Sequence, residues 1–496
     1  MTIKLIIPPL VGLLVAFGSV RWIYFKILRI AFDKKLVDNP NARKLQQRPI
    51  PVSGGLAVYF GLLSGLLAGV AVSNICGTSF SFELFPVVCS MSILLFIGAL
   101  DDILVLAPSK RLIAEILTIL GLVFSSGICI DTFMGMWTIG DFSWWVAVPL
   151  TLFAGVGIVN AINMIDGVNG LSSGLCISCC IIFGCLFVAV GDWANVVLAF
   201  TCAGALAPFF IHNVFGLKSR MFIGDAGTMA MGILMLWFTM SVVNSASSDV
   251  YLRFEGVNFI AFCLAALSVP VFDTLRVMIM RMLNGRSPFK PDKTHLHHIF
   301  VRFGFSHFVT AMSEVLIMLV IVAIWIVSVF IGTPIDCQLY TVILSSVALV
   351  WGTYFFLDYH EKHQTVLLKR IAAVSIRTHL GRTEWWQHIT AWLDAPSRKA
   401  YSTPVISGAD VKIYRLDEHL AEIDEASQIE VDRKKVLEYL RERNEVTLDE
   451  LRKNCTDNIT HLYQILDEED FKGFIRIVKK QSSGLPEVVS MTTEHK

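Results

Sequence analysis

Asn160-Ala-Ile-Asn163-Met-Ile-Asp166-Gly-Val-Asn169-Gly170 is the stretch that decides how this chain is read. It lies between two apolar runs, Trp144 to Val159 and Leu171 to Val190. Each comes near the ~20 apolar residues that cross a bilayer. Between them stand Asn160, Asn163, Asp166 and Asn169, with Gly167 and Gly170 loosening the backbone. A carboxylate at the end of a membrane helix is costly unless it faces water, is paired or binds a cation. Taken alone, the stretch is a short polar turn. Similar acid-bearing turns recur along the chain, and the repetition points to a site.

Of the 496 residues, 54% are hydrophobic and only 17% charged. The apolar residues come in blocks, so the expected fold class is an all-α polytopic membrane protein. Formal net charge is zero, which gives no reason to expect a nucleic-acid partner. The 11 cysteines lie mostly inside apolar runs, among them Cys176, Cys179, Cys180, Cys185, Cys202 and Cys263. An odd count without an extracellular spacing pattern reads as packed thiols. Cys176-x-x-Cys179-Cys180 has no nearby His or acid and is assigned to helix packing. The first apolar run, Ile6 to Tyr24, is followed by no small-residue cleavage site and reads as a spanning helix.

Apolar run length gives about eleven spans, the fourth around Ile119 and the ninth around Leu267. The connections alternate in basic content. The first holds Lys26, Arg29, Lys34, Lys35, Arg43, Lys44 and Arg48, the third Lys110 and Arg111, and the seventh Lys218 and Arg220. The ninth, Arg276 to Arg302, is strongly basic, and the even connections are nearly free of Lys and Arg. By the positive-inside rule the N-terminus is outside and the C-terminus cytoplasmic. Five polar clusters then share the cytoplasmic side. They are Asp38-Asn-Pro-Asn-Ala-Arg43-Lys44 with Pro51-Val-Ser-Gly54-Gly55, Gly98-Ala-Leu-Asp101-Asp102, the opening stretch, Asn213 with Phe222-Ile-Gly224-Asp225-Ala-Gly227-Thr228, and Ser287-Pro-Phe-Lys-Pro-Asp-Lys-Thr-His295-Leu-His297-His298.

Domain boundaries are expected at 1–360 for the membrane part, 361–408 for an interfacial helix and linker, and 409–496 for a soluble cytoplasmic domain. Glu384 to Leu393, with Trp385, Trp386 and Trp392, suits a helix at the membrane surface. Ser397 to Gly408 reads as linker. In the tail, Val431 to Arg443 and His461 to Glu469 have helical periodicity, and Thr447-x-x-Glu450 reads as a capping box. Phe474 to Val478 alternates like a strand. Three short helices followed by a hairpin resemble a winged helix.

Asp101, Asp102, Asp166 and Asp225 are four acids at cytoplasmic helix ends. Clustered carboxylates repel unless a cation or proton intervenes. Oxygen ligands favour a hard divalent ion, and Mg²⁺ takes one or two carboxylates plus substrate phosphates. The glycines beside the acids, Gly98, Gly167, Gly170, Gly224 and Gly227, would let phosphate oxygens approach the backbone. The His-rich ninth loop supplies counter-charge. Acids, a cation and a basic loop fit phosphoryl transfer, with a lipid phosphate as one substrate and a soluble nucleotide as the other. A zinc site at His295, His297 and His298 is the rival, although no third ligand of definite geometry stands nearby.

These motifs together resemble the polyprenyl-phosphate N-acetylhexosamine-1-phosphate transferase family, and within it the branch that uses undecaprenyl phosphate. The resemblance covers roughly residues 1 to 370. It implies a multi-pass enzyme of the bacterial inner membrane that moves GlcNAc-1-phosphate from UDP-GlcNAc to undecaprenyl phosphate and releases UMP, opening a surface-polysaccharide pathway. It implies Mg²⁺ or Mn²⁺ as cofactor, with Asp225 and Asp166 as metal ligands. Asp101 or Asp102 would activate the lipid phosphate. Asp166, Asn163 and Asn213 would position metal and nucleotide, and His295, His297, His298 and Arg302 would bind the phosphates. Arg43, Lys44, Lys110 and Asn169 complete the expected substrate contacts. The related enzymes often carry an acid where Asn169 stands, and an amide cannot act as a base. A homodimer and a protein partner for the C-terminal domain are left open. The alternatives are another UDP-N-acetylhexosamine, a phospho-MurNAc-pentapeptide substrate (disfavoured by His-Leu-His-His in place of a His triplet), or a transporter.

Overall fold

The computed structural model describes residues 2–34, 36–38, 50–78, 83–244, 254–287, 294–363, 365 and 383–400, and in the tail 432–433, 435–436, 438–440, 446–455, 475–480 and 486–491. The chain divides into two compact units, Met1–Leu380 and Gly381–Lys496.

The first unit is a helical bundle. Its helices are α1 Thr2–Asp33, α2 Gly54–Cys76, α3 Phe85–Leu104, α4 Pro108–Ser126, α5 Trp144–Met164, α6 Leu171–Val190, α7 Trp193–Phe215 and α8 Gly224–Val242. They are followed by α9 Phe259–Ala266, α10 Ser268–Leu283, α11 Leu296–Arg302, α12 His307–Phe330 and α13 Ile335–Lys362. A π-helical turn, Val347–Trp351, interrupts α13. Among the described residues, nine helices are long and apolar enough to span a membrane. The pair α9–α10 passes the same test as one span bent by 76°.

Two expectations are corrected here. The ninth span is broken at Leu267, so it is no single rod. The ninth connection does not begin at Arg276, because Arg276 and Arg281 both lie inside α10 and are buried. The expected fourth span is the helix α4, but its first half carries Lys110, Arg111 and Glu115. Among the described residues the nine helices and the bent pair account for ten of the eleven runs seen in the sequence, and α4 stands outside that set.

Packing follows from side-chain size. α7 and α8 are apolar all round and buried along most of their length, as a helix at the centre of a bundle must be. α8 packs against α3 and α5, and α1 against α2 and α7. Phe153, Leu67 and Phe330 are exposed on outer helices, where lipid would cover them. Within lipid, small residues let helices approach closely. A Cβ on Gly204 of α7 would strike the backbone of Leu13, and one on Gly65 of α2 would strike Gly12 of α1. All 11 cysteines are free thiols, most of them buried, as read from the sequence.

A short antiparallel pair, β1 Val37–Asp38 with β2 Ile50–Pro51, precedes α2. Arg43 and Lys44 fall between these strands and lie outside the described residues. β2 fixes the start of α2 to the turn before α8. Phe222 N donates to Pro51 O at 2.7 Å, Gly54 N to Phe222 O at 2.9 Å and Gly55 N to Ile223 O at 2.8 Å.

In the second unit, α14 spans Glu384–Ala400, with Trp385 and Trp392 exposed. It runs through Pro396 and takes in the first four residues of the expected linker; the remainder, 401–408, lies outside the described residues. Further on, β3 Val446–Thr447 leads directly into α15 Leu448–Asn454, and β4 Ile475–Lys480 and β5 Pro486–Met491 complete a sheet of order β3-β5-β4. Thr447 thus stands where the capping pattern put a helix start. The expected helix His461 to Glu469 lies outside the described residues.

Candidate functional site

α3, α4, α5 and α8 bring five carboxylates and one guanidinium together. Asp101 and Asp102 come from the last turn of α3, and Glu115 from α4. Asp166 follows α5, and Asp225 opens α8. Asp101, Asp102, Glu115 and Asp166 each lie close enough to Asp225 to interact with its charge. The central cation is Arg111. Its Nη1 lies 3.5 Å from Asp101 Oδ2 and 3.7 Å from Asp225 Oδ2, and its Nε donates to Glu115 Oε1 at 3.1 Å. Asp225 is the most open acid of the three, with 35% of its side chain exposed against 10% for Asp101 and 1% for Glu115.

The acids are not equivalent. Asp102 accepts from Asp225 N at 3.0 Å and from Ala226 N at 3.3 Å. It caps the first turn of α8 from a neighbouring helix, where free N–H groups and the helix dipole favour an anion. Gly224, at φ +72°, makes room for that carboxylate. Asp101 accepts from Leu106 N at 2.7 Å, closing a turn in which Val105 takes the left-handed conformation at φ +52°. A β-branched residue there is strained, and the Asp101 contacts hold it.

The opening stretch supplies the other wall. Asn163 Nδ2 donates to Asp225 Oδ1 and to Thr228 Oγ1, both at 2.6 Å. Asn160 Nδ2 donates to Glu115 Oε2 at 2.6 Å. Asn213 Oδ1 accepts from Gly170 N at 2.6 Å while its Nδ2 donates to Met221 O at 2.7 Å, joining the stretch to the turn before α8. Asn169 is buried, and its backbone N–H donates to His307 Nδ1 at 3.2 Å. Asp166 accepts from Ser172 Oγ. It keeps some surface in solvent, yet the protein packed around its carboxyl pushes the pKa up to about 6; the Ser172 hydroxyl opposes that rise and the Asp225 charge adds to it.

The histidine loop closes over this wall. A Cβ on Gly167 would collide with His297 Nε2, so His297 rests directly on the opening stretch. His297 is 1% exposed. Burial holds its pKa well below the ordinary value, with His298 and His295 adding to the effect, so this imidazole is neutral. Its ring stacks at 10° on His295, 5.6 Å between centroids, and the His298 ring lies 4.3 Å from it at a tilt of 49°. His295 Nδ1 meets Asp273 Oδ2 at 2.8 Å. Arg302 sits apart from the acids and pairs with Glu361 at 3.3 Å. Lys110 is exposed at the start of α4.

Sequence reasoning missed Arg111, Glu115, Asp273 and Arg276. Lys110 was singled out where its neighbour Arg111 makes the contacts. The signal was present, since Arg111 and Glu115 stand four apart on one helix face. Asp273 and Arg276 were hidden because they were counted as span end and loop.

The residues fit a hard divalent cation better than zinc. Among the described residues no three His, Cys, Asp or Glu converge tightly enough to enclose a metal by themselves. Structural zinc takes four such ligands and catalytic zinc three, and the His-x-His-His segment does not provide them. Mg²⁺ needs only one or two carboxylates, with water and phosphate oxygens completing its shell. Asp101 and Asp225 approach each other directly. Five carboxylates around a single guanidinium leave an excess of negative charge that a divalent ion would offset.

Comparison with known proteins bears on this geometry. The sequence profile described as glycosyl transferase family 4 matches residues 84–243, which runs from α3 to the end of α8. The undecaprenyl-phosphate alpha-N-acetylglucosaminyl 1-phosphate transferase of Escherichia coli K12 is 30% identical over 288 residues, covering 56% of this chain and 72% of that protein. The Yersinia pestis protein of the same name is 29% identical, covering 57% of this chain and 74% of the relative. A Bacillus subtilis protein named as a probable undecaprenyl-phosphate N-acetylglucosaminyl 1-phosphate transferase is 29% identical over the same shares.

Proposed function

Because the chain belongs to glycosyl transferase family 4, we propose that it transfers GlcNAc-1-phosphate from UDP-GlcNAc to undecaprenyl phosphate and releases UMP. The observation that carries this reading is the meeting of three parts, namely the Asp225 acid cluster, the Asn163–Asn213 wall and the histidine loop resting on Gly167. Two phosphate-bearing substrates need such a mixture of acids for a cation and donors for oxyanions.

A phosphate oxygen of the lipid attacks the β-phosphorus of the sugar nucleotide. The bond from that phosphorus to the bridging oxygen breaks, and UMP leaves with the electron pair. Asp225, more open than Asp101 and Glu115, and Asp166 would hold Mg²⁺ or Mn²⁺, which when bound neutralises charge on the diphosphate. Asn163 fixes the Asp225 carboxylate by its 2.6 Å bond. Of Asp101 and Asp102, Asp101 would take the proton from a singly protonated lipid phosphate, since Asp102 is engaged by the amides of α8. Arg111, shared between Asp101 and Asp225, can turn a guanidinium N–H toward a phosphate oxygen. Asp102, committed to the first turn of α8, keeps Asp225 in place. His295, His297 and His298 offer ring N–H groups to the nucleotide phosphates.

The basic connections favour a cytoplasmic active-site face in a bacterial inner membrane, where UDP-sugars are made. A transporter is the reading from another class. Transporters place polar groups on broken helices near the bilayer midplane. Here the break at Leu267 has Ser268 beside it, but the acids of the candidate site gather elsewhere, at the end of α3, in α4, after α5 and at the start of α8.

Purified protein in detergent, given undecaprenyl phosphate, Mg²⁺ and radiolabelled UDP-GlcNAc, should yield label in the lipid phase and an equal amount of UMP. Label transferred instead from another UDP-N-acetylhexosamine would move the substrate assignment. Absence of any lipid-linked product would end the transferase reading.

A further inference from the structure

Asp273 lies in α10, away from the acid cluster, and is 1% exposed. A buried carboxylate in a membrane span has to be matched by donors, and Asp273 is matched fully. Arg276 Nη2 donates to its Oδ1 at 2.7 Å. The Leu296 amide, at the first position of α11, reaches Oδ1 at 3.1 Å and Oδ2 at 3.2 Å. His295 Nδ1 lies 2.8 Å from Oδ2. The same Arg276 nitrogen donates to Thr294 O at 2.6 Å, just before the histidines. The guanidinium lies over the Tyr354 ring at 3.5 Å, and Trp351 Nε1 donates to Phe272 O at 2.8 Å. From α12, Glu314 is 1% exposed and interacts with both Asp273 and Arg276.

This arrangement holds the histidine loop by its first residue. Arg276 and the Leu296 amide can only donate, so the carboxylate accepts from both. Having accepted them, it is placed to accept from His295 as well, which puts the imidazole proton on Nδ1. With its Nδ1–H donating to Asp273, His295 can donate from Nε2 to a phosphate oxygen only as the cationic ring, and this Nε2 has no hydrogen-bond partner among the described residues. An imidazole fixed by a carboxylate on one nitrogen presents the other in a defined state. The stack at 10° passes that orientation to His297, which in turn rests on Gly167.

We propose that Asp273 is the positioning residue of the histidine loop, fixing through His295 Nδ1 and the Leu296 amide the ring state and place of an imidazole that meets the diphosphate of the sugar nucleotide. The inference rests on the transferase reading above. Asp273 touches no substrate, and its effect runs through His295.

Asp273→Asn keeps the size of the side chain but presents an amide where the ring proton was accepted. In the full chain it should lower kcat/KM for UDP-GlcNAc by about 10–100-fold, taking the range for loss of a carboxylate that orients a metal-bound imidazole as the guide. KM for undecaprenyl phosphate should stay within about twofold. The deciding measurement is a double-mutant cycle. His295→Ala alone should lose a similar factor, and adding Asp273→Asn to it should cost less than about threefold more. Independent, multiplying losses would mean that Asp273 serves only packing, and would overturn the proposal. So would wild-type kcat/KM in a folded Asp273→Asn protein. If the single variant does not fold, Asp273→Asn with Arg276→Gln removes the buried guanidinium together with its partner, and the same cycle is run on that pair. The wild-type reaction separates the two readings. An active wild type with a silent Asp273 overturns this inference alone, whereas a wild type that neither turns over UDP-GlcNAc nor binds UDP overturns both.

Discussion

Replacing Gly167 by alanine adds one methyl group at the place where the opening stretch meets the histidine loop. A Cβ there would collide with His297 Nε2 and lie 3.1 Å from Cδ2 and 3.3 Å from Cε1. Carbon atoms settle at about 3.5–4.0 Å, so the ring must retreat by roughly 1 Å. It has little room to retreat, because it is 1% exposed and its ring packs against both His295 and His298. The shift therefore moves the loop or the turn. Overpacking of this kind costs about 1–3 kcal/mol, which thermal melting would register. A displacement near 1 Å in a positioned group costs about 10²-fold in rate. The expected result is a loss of that order in kcat/KM for UDP-GlcNAc, measured at saturating lipid. Truncating the obstacle supplies the control, since in a His297→Ala background the methyl group has space and should add little. A Gly167→Ala protein with wild-type melting and wild-type kcat/KM would show that loop and turn do not meet as described.

Asp225→Asn should lower turnover by about 10²–10³, the usual loss for one charge-stabilising group, with melting little changed because the side chain is 35% exposed; wild-type turnover at saturating Mg²⁺ would remove it from the site. The raised Asp166 pKa of about 6 gives a sign for the cation effect. The folded state holds this proton more tightly than the unfolded state, so without metal the group loses stability as pH rises from about 4 to 6. A cation favours the ionised form, so added Mg²⁺ should raise the melting temperature more at pH 7 than at pH 5, and equal shifts at both would deny Asp166 a part in holding it. A chain ending at residue 380, the limit of the first unit, should keep transferase activity in detergent with added lipid; a folded but inactive product would give the tail a catalytic part.

How much of this was legible in the sequence depended on range. Local signals were reliable. Apolar run length found α1 to α8, and Asp101, Asp102 and Asp225 fell at helix ends, where a carboxylate escapes the cost of an unpaired charge within an apolar run. Asp101, Asp166 and Asp225 could be named because each breaks such a run. What the run-length signal could not show was the use of a polar residue inside a helix. Arg276 looked like the start of a basic loop, because Arg ordinarily ends a span. In the structure Asp273, three residues earlier, neutralises it, and Tyr354, far along the chain, covers it. The division of work between Asp101 and Asp102 was equally invisible. It arises from which carboxylate meets the amides of Asp225 and Ala226, a fact of helix rotation and not of spacing.

The glycines beside the acids are the clearest case of a right location read with the wrong cause. They were expected to clear space for phosphate oxygens, but most of that space is taken by the protein. A Cβ on Gly98 of α3 would enter the backbone of Asp225 and Ala226, and one on Gly55 of α2 would enter the backbone of Gly227. Gly170, at φ +81°, is closed in by Val214 and Phe210. The glycines therefore bring α2 and α3 against the first turn of α8. That close approach lets Asp102 reach the amides of α8, and it sets Asp101 beside Asp225. Acid and glycine recur together in the sequence because an acid at a helix end can act on its partners only if the helices bearing them nearly touch.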